Sequence, residues 1–252
     1  MKATLWTLAI GGLAAMVAVS PPVHSQQNLK VLADTPLRPA LIEIGEAFRR
    51  DGGQQVDFVF GPSPVILKKL ADGEAADVVI AQSDHIPDLI KSGKIAPGEY
   101  PLIGRVGLGL AVRADAPTQS LATVEALRRV LLAADTLVTN TVVSGDQFLA
   151  ILEKLKIAEA VKAKVVRRQP GPRLYEEVIQ GKGNDIGAGV VTILKETKGI
   201  RLLGPLPAEI QSYQAYAAAT MIAAASPAAA KRFVAFLASP AAKASLSASG
   251  VE

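Results

Sequence analysis

The chain has 252 residues, with 27 Lys and Arg against 23 Asp and Glu, and contains no cysteine. That length allows one large or two modest domains with real cores. The absence of cysteine excludes a disulfide framework, a thiol nucleophile, a Cys-bound zinc and a lipid anchor on cysteine. The basic residues are scattered, and the pairs Arg128-Arg129 and Arg167-Arg168 read as solvated ends of elements, not as a nucleic-acid-binding stripe.

Lys2 is the only charge before an apolar run over 5–19, which has the length of a signal-peptide core and is short for a membrane span. Val23 and Ser25 supply the small residues of a cleavage site, so export to the periplasm with cleavage after Ser25 is expected. His85 is then the only histidine of the mature chain, which leaves little material for His-ligated metals or Ser–His–Asp triads.

Residues 29–33 form a short apolar strand that stops at Asp34-Thr35-Pro36. The period then changes: Leu37, Leu41, Ile44, Ala47 and Phe48 share one helical face, with Asp34 or Thr35 as the cap and Pro36 in the first turn. Residues 56–60 read as a second strand, Gly61-Pro62-Ser63-Pro64 opens a helix over 65–71, and 77–81 is a third strand. Two strand-to-helix loops thus meet at the carboxyl ends of parallel strands, where open α/β sheets bind ligands and helix N-termini favour anions.

A short helix follows over 84–92. Residues 105–113 form a long apolar run in which Gly107 and Gly109 suggest a close backbone approach; it reads as a first crossing between two domains. Over 121–191 the β-α-β-α-β logic repeats. A helix over 121–132 has Ser120 as its cap, and a strand covers 136–141. A helix from Ser144 buries Phe148, Ile151, Leu152 and Leu155. A strand over 161–166, a helix over 174–180 and a strand over 185–191 complete the set. Ligand-type loops fall at 140–146 and 170–173. A short strand at 200–203 precedes the return crossing over 213–225. Two Ser-Pro starts, at Ser226 and Ser239, then open terminal helices, the first with Ala229, Phe233, Phe236 and Leu237 on its core face.

The run V-L-A-D-T-P-L, then F-G-P-S-P, then G-E-A-A-D-V-V-I-A over Gly73–Ala81 resembles the amino-terminal half of the molybdate-binding-protein family, and the tail from Ser226 to Gly250 resembles the carboxyl-terminal helices of solute-binding proteins. The resemblance covers both ends of the mature chain. It implies the α/β type II periplasmic-binding-protein fold: two α/β domains, 26–112 with 213–252 and 113–212, joined by two crossing strands around a ligand cleft. It also implies a monomer that captures a small anion for a membrane ABC permease, without cofactor, metal or nucleic acid.

Thr35 and Ser63 stand where hydroxyls and N–H groups could face one ligand, although helix capping would employ the same residue types. The family carries a serine in each of these loops; Ser63 matches the second, whereas Pro36, beside Thr35, occupies the first. Asn140, Ser144 and Gly145 correspond to the family's backbone donors in the second domain, with Ser144 equally readable as a cap. Val190 stands nearest the place of a family tyrosine. Arg173, and less strongly Arg38, offers a guanidinium that suits a planar carboxylate, or else is a surface residue at a helix start. Asp34 beside an anion is unfavourable unless it turns away to cap. Tyr213 and Tyr216 read as cleft lining or as hinge packing.

The resemblance favours a molybdate-type oxyanion. Arg173 and the missing serine and tyrosine favour a small di- or tricarboxylate. A periplasmic enzyme is the rival class, against which stand the lack of cysteine, the single mature histidine and the absence of a G-x-S-x-G elbow. A sensor module would need a fused segment for which no residues remain.

Overall fold

The computed structural model describes residues 27–252; the expected leader and its cleavage point after Ser25 lie outside the described residues. The first half alternates β1 (Leu29–Asp34), α1 (Arg38–Arg50), β2 (Val56–Gly61), α2 (Ser63–Ala71), β3 (Val78–Gln82) and α3 (Ile86–Lys91). Strand β1 lies between β2 and β3 and runs parallel to both. Leu29, Val31, Leu32 and Ala33 are all fully buried, because helices cover both faces of this strand. That is why its sequence is apolar apart from Lys30 and does not alternate.

Strand β4 (Leu102–Arg113) leaves this half. The second half holds α4 (Val124–Ala133), β5 (Thr136–Asn140), α5 (Val143–Lys154), α6 (Ala158–Val161), β6 (Val165–Arg168), α7 (Glu176–Gln180), β7 (Asp185–Val190), α8 (Val191–Glu196) and β8 (Ile200–Pro205). Here β5 is central and parallel to β6 and β7, which repeats the arrangement around β1. Strand β9 (Tyr213–Thr220) returns the chain, and α9 (Pro227–Phe236) and α10 (Pro240–Ser249) end it. The sheet path runs β2-β1-β3-β9-β4-β7-β5-β6, with β8 added to β4. The first part of β4 pairs with β9 and the second with β7 and β8, so β4 and β9 carry the chain between the halves. The glycines of β4 admit the close approach read from sequence: a Cβ on Gly109 would stand 2.7 Å from the carbonyl oxygen of Gly204.

The tail packs back on the first half. Phe233 of α9 meets Phe48 of α1 edge to face at 5.2 Å, and Arg232 donates to the carbonyl of Gly52 at 2.9 Å. The Asp of the A-D-V motif is structural. The Asp77 carboxylate accepts the N–H groups of Lys30 (2.9 Å) and Ser226 (3.0 Å), tying β1 and the start of α9 to β3.

Several local expectations shift. Helix α4 starts at Val124 and is capped by Thr123, whose hydroxyl accepts from Ala126 N at 3.1 Å; Ser120 lies outside the helix. Ser226 makes no side-chain cap, whereas Ser239 does, accepting from Ala242 N at 3.2 Å. The strand expected over 161–166 is displaced to Val165–Arg168, because the preceding residues close a short helix and a 3-10 turn. Helix α8 has only six residues, too few for a helical period to register in the sequence. Burial on α9 falls on Ala230 and Phe233, continued by Leu237 just past its end, with Ala229 and Phe236 packed at the edge.

Candidate ligand-binding cleft

The carboxyl ends of β1, β2 and β3 face those of β5 and β7 across a cleft of about 610 Å³. Its walls come from both halves: Asp34, Thr35, Pro36 and Arg38 after β1, Phe60 to Pro64 after β2, and Gln82 at the end of β3. Opposite stand Asn140 and Val142 to Ser144 after β5, the Pro170–Pro172 turn with Leu174 and Tyr175, and Val190 with residues around α8. Gln214 of β9 also lines it.

On the first side, Asp34 is 2% exposed and Ser63 fully buried. The Ser63 N–H donates to Asp34 Oδ2 at 3.2 Å and the Ser63 hydroxyl donates to the same oxygen. The Ser63 Oγ in turn accepts from Gln82 N at 3.0 Å. Asp34 therefore caps α2, 29 residues away, and not the helix that follows it. The remaining amides of that helix start are spent or missing: Pro64 has none, and Val65 N bonds to Pro62 O at 2.9 Å. Burial pushes the Asp34 carboxyl up to about 6, outweighing the hydrogen bonds from Ser63 and Thr35 and the charge of His85 that favour ionisation.

On the second side, Asn140 organises a neutral turn. Its Oδ1 accepts the N–H groups of Val142 and Gly145, each at 3.0 Å, and its Nδ2 donates to Ser144 Oγ at 2.6 Å. The N–H groups of Val143 and Ser144 and the Ser144 hydroxyl proton engage no partner among the described residues. They sit in the first turn of the twelve-residue helix α5, on the cleft wall, at the positive end of its dipole.

Among the described residues, no group of three or more His, Cys, Asp or Glu side chains could hold a metal ion. The charged residues on the walls are Arg38, Lys198, Asp34 and Glu196, and none of these four forms an ion pair among the described residues.

A family model for the bacterial extracellular solute-binding proteins matches residues 29–252. The chain belongs to that family. A curated relative, an aconitate isomerase from a Pseudomonas species, is 26% identical over 254 residues, covering 98% of this chain and 95% of the relative. Two similar solved structures are a substrate-binding domain assigned to a molybdenum ABC transporter of Clostridium difficile and the periplasmic molybdate-binding protein of Azotobacter vinelandii. The first has a TM-score of 0.72 at 18% identity, covering 89% of this chain and 98% of that one. The second has a TM-score of 0.69 at 17% identity, covering 89% and 99%. What is shared at these identities is the type II periplasmic-binding-protein fold.

In this solute-binding protein Thr35, Ser63, Asn140, Ser144 and Val190 all line the cleft. Thr35 keeps a hydroxyl with no partner among the described residues, but both hydrogen-bonding functions of Ser63 are occupied inside the wall. Gly145 lies behind the wall, and its N–H is taken by Asn140 Oδ1 and Val142 O. Glycine is required there because a Cβ would overlap the Asn140 carbonyl. The Arg173 guanidinium is 89% exposed, outside the lining, and its only ionic neighbour among the described residues is Glu176 at 4.0 Å. Arg38 stands on the wall in its stead. Tyr213 lies under the Arg105 guanidinium at 4.0 Å, and the buried Tyr216 donates to Gln214 at 2.8 Å, so both serve packing around the crossing strands.

Sequence reasoning missed Gln82, Gln214 and Tyr175. The Tyr175 ring lies where side chains at Gly187 and Gly189 would stand, and its hydroxyl donates to Ala188 O at 3.2 Å. The G-A-G triplet of β7 carried that signal: small residues in a buried strand mark a close approach.

Proposed function

We propose that this solute-binding protein is a periplasmic capture component of an ABC importer. Its ligand is a small organic polycarboxylate, held in the cleft between the halves. The halves would close over it by hinge motion and present the closed form to a membrane permease, with a monomer as the working unit. The observation that carries this reading is the cleft itself. Its volume of about 610 Å³ lies within the range of organic-ligand sites. It sets the free donors of Thr35, Val143 and Ser144 around a wall that carries Arg38. The molybdate-type reading is weaker, because Ser63 has no donor to give and Val190 offers no hydroxyl. The relative's name, which concerns a tricarboxylate, agrees with an organic ligand. A thermal-shift screen followed by calorimetry against molybdate, sulfate and di- and tricarboxylates tests it. A carboxylate at 100 times its Kd stabilises the protein by about 2.7 kcal/mol; binding of molybdate alone refutes the choice.

One observation favours a second reading, a proton-transferring isomerase. Asp34 is a cleft carboxyl poised near neutrality, the condition for acid–base work. Incubation with cis- or trans-aconitate and chromatography of the products decides: a second isomer that depends on Asp34 makes the protein an enzyme, and an unchanged substrate leaves it a binder.

A further inference from the structure

We propose that Asp34 makes the cleft select anions that present a hydrogen-bond donor of their own, a hydroxyl or a retained acidic proton, over anions of the same charge that present none. This rests on the reading of the cleft as an anion site. The geometry is specific. Asp34 ends the central strand of the first half, is almost wholly buried, and still contributes to the cleft wall. Both bonds from Ser63 fall on Oδ2, and a hydrogen bond from the Thr35 backbone also favours the ionised carboxyl. No cation neutralises it: among the described residues Asp34 has no salt bridge, and Arg38, on the neighbouring helix start, makes none with it.

The other titratable groups around it do not change this. His85, on the turn after β3, acts on it only through space and favours the ionised form. Burial, and after it the Asp34 charge, holds the phenol of Tyr216 on β9 protonated, and its hydroxyl is committed to Gln214. Lys198 and Glu196 belong to the opposite wall.

An ionised carboxylate only accepts hydrogen bonds. A ligand oxygen without a proton therefore meets acceptor against acceptor in a site that water leaves on closure, where charge repulsion is poorly screened. Two escapes exist. The ligand can bring an O–H to Asp34, or Asp34 can take a proton from solvent as the ligand binds. The first costs nothing at any pH above the Asp34 pKa. The second weakens binding up to tenfold for each pH unit above it, and shows as proton uptake. Carboxylate pairs that differ by one hydroxyl therefore separate at alkaline pH and converge at acid pH.

The test is calorimetry on the purified wild-type protein at pH 5 and pH 8, in two buffers of different ionisation enthalpy. Malate is compared with succinate, citrate with tricarballylate, and phosphate with sulfate and molybdate. The expected result at pH 8 is at least tenfold preference for the hydroxylated or protonated member of whichever pair binds. The partner lacking the donor should bind with uptake of close to one proton, and the preference should shrink at pH 5. Asp34→Asn, which keeps the shape and can donate as well as accept, should erase both the preference and the proton uptake. Equal affinities within a pair at pH 8 in the wild type, or a preference that survives in Asp34→Asn, overturns the proposal while leaving the anion site standing. If no anion of the panel binds, the anion-site reading falls and takes the proposal with it. Should Asp34→Asn not fold, the wild-type pH series and the buffer dependence still decide.

Discussion

The last residue of the central strand differs between the two halves. It is Asp34 at the end of β1 and Asn140 at the end of β5, each flanked by two parallel strands and each facing the cleft. Asn140 is neutral and turns back on its own loop, where one carbonyl oxygen holds two N–H groups and the amide nitrogen holds Ser144. The first turn of α5 is thereby shaped while its outward donors stay available. Asp34 instead reaches sideways to α2 and consumes the donors of that helix start. The same strand position thus yields a donor-rich wall in one half and an acceptor in the other. Under the proposed reading, an anion would be gripped mainly by the second half and checked by the first.

The comparison can be broken most severely at Gly145. A Cβ there overlaps the Asn140 carbonyl, which cannot move without unpicking the β5 turn. Gly145→Ala should cost about 3 kcal/mol or more in chemical denaturation, at the upper end of overpacking effects. A loss within a few tenths would mean that the turn is soft and that the donor-rich wall is not preformed.

Asp34→Asn sharpens the contrast by making the two strand ends alike. The folded carboxyl titrates at about 6 against an ordinary value of 3.8, so the wild type binds more protons folded than unfolded between these values. This group's stabilising effect is complete below pH 3.8, fades as pH rises towards 6 and is gone above it. The difference amounts to roughly 3 kcal/mol. Wild type minus Asp34→Asn stability, measured by urea denaturation from pH 4 to pH 8, should fall across that window. A flat difference would mean that Asp34 is ionised without penalty.

Ser144→Pro tests the gripping side. Proline is tolerated in the first helical turn, so the helix should survive while one free N–H of α5 disappears together with the Ser144 hydroxyl that accepts from Asn140. Ligand affinity should drop by roughly 1–3 kcal/mol, the cost of leaving a buried acceptor unpaired. Unchanged affinity would move the grip away from α5.

The smallest expected effects separate the two arginines. Arg38→Ala, on the wall, should weaken carboxylate binding by about 1 kcal/mol, as expected for a partly exposed charged contact. Arg173→Ala should change it by less than about 0.5 kcal/mol, like other surface substitutions. The reverse order would mean that the exposed Arg173 folds inward when the cleft closes.

The elements themselves were readable from the chain. Leu29 to Ala33 is apolar apart from Lys30, so a strand covered on both faces follows from hydropathy alone; Leu37, Leu41, Ile44 and Phe48 return at helical spacing, so a one-sided helix follows as well. Turn residues after each strand marked where the cleft loops would fall. These properties depend on neighbours within a few residues, which is why pattern suffices to find them.

The chemistry of the cleft depended on partners far along the chain. Asp34 was recognised as a problem beside an anion, but its remedy lies 29 residues on, at Ser63. That contact exists only because β2 lies beside β1. It also removes Ser63 as a donor, although Ser63 matches the family's position. Tyr175 fills the cleft wall because β7 offers glycines beneath its ring, and Arg173 points to solvent because Pro172 and Leu174 take the inward places of the same loop. Hydropathy fixes which face of an element is buried. The direction of a polar side chain at a loop is a competition between solvent and whichever donors the fold brings within about 3 Å, and those donors are set by strand pairing, not by spacing in the chain.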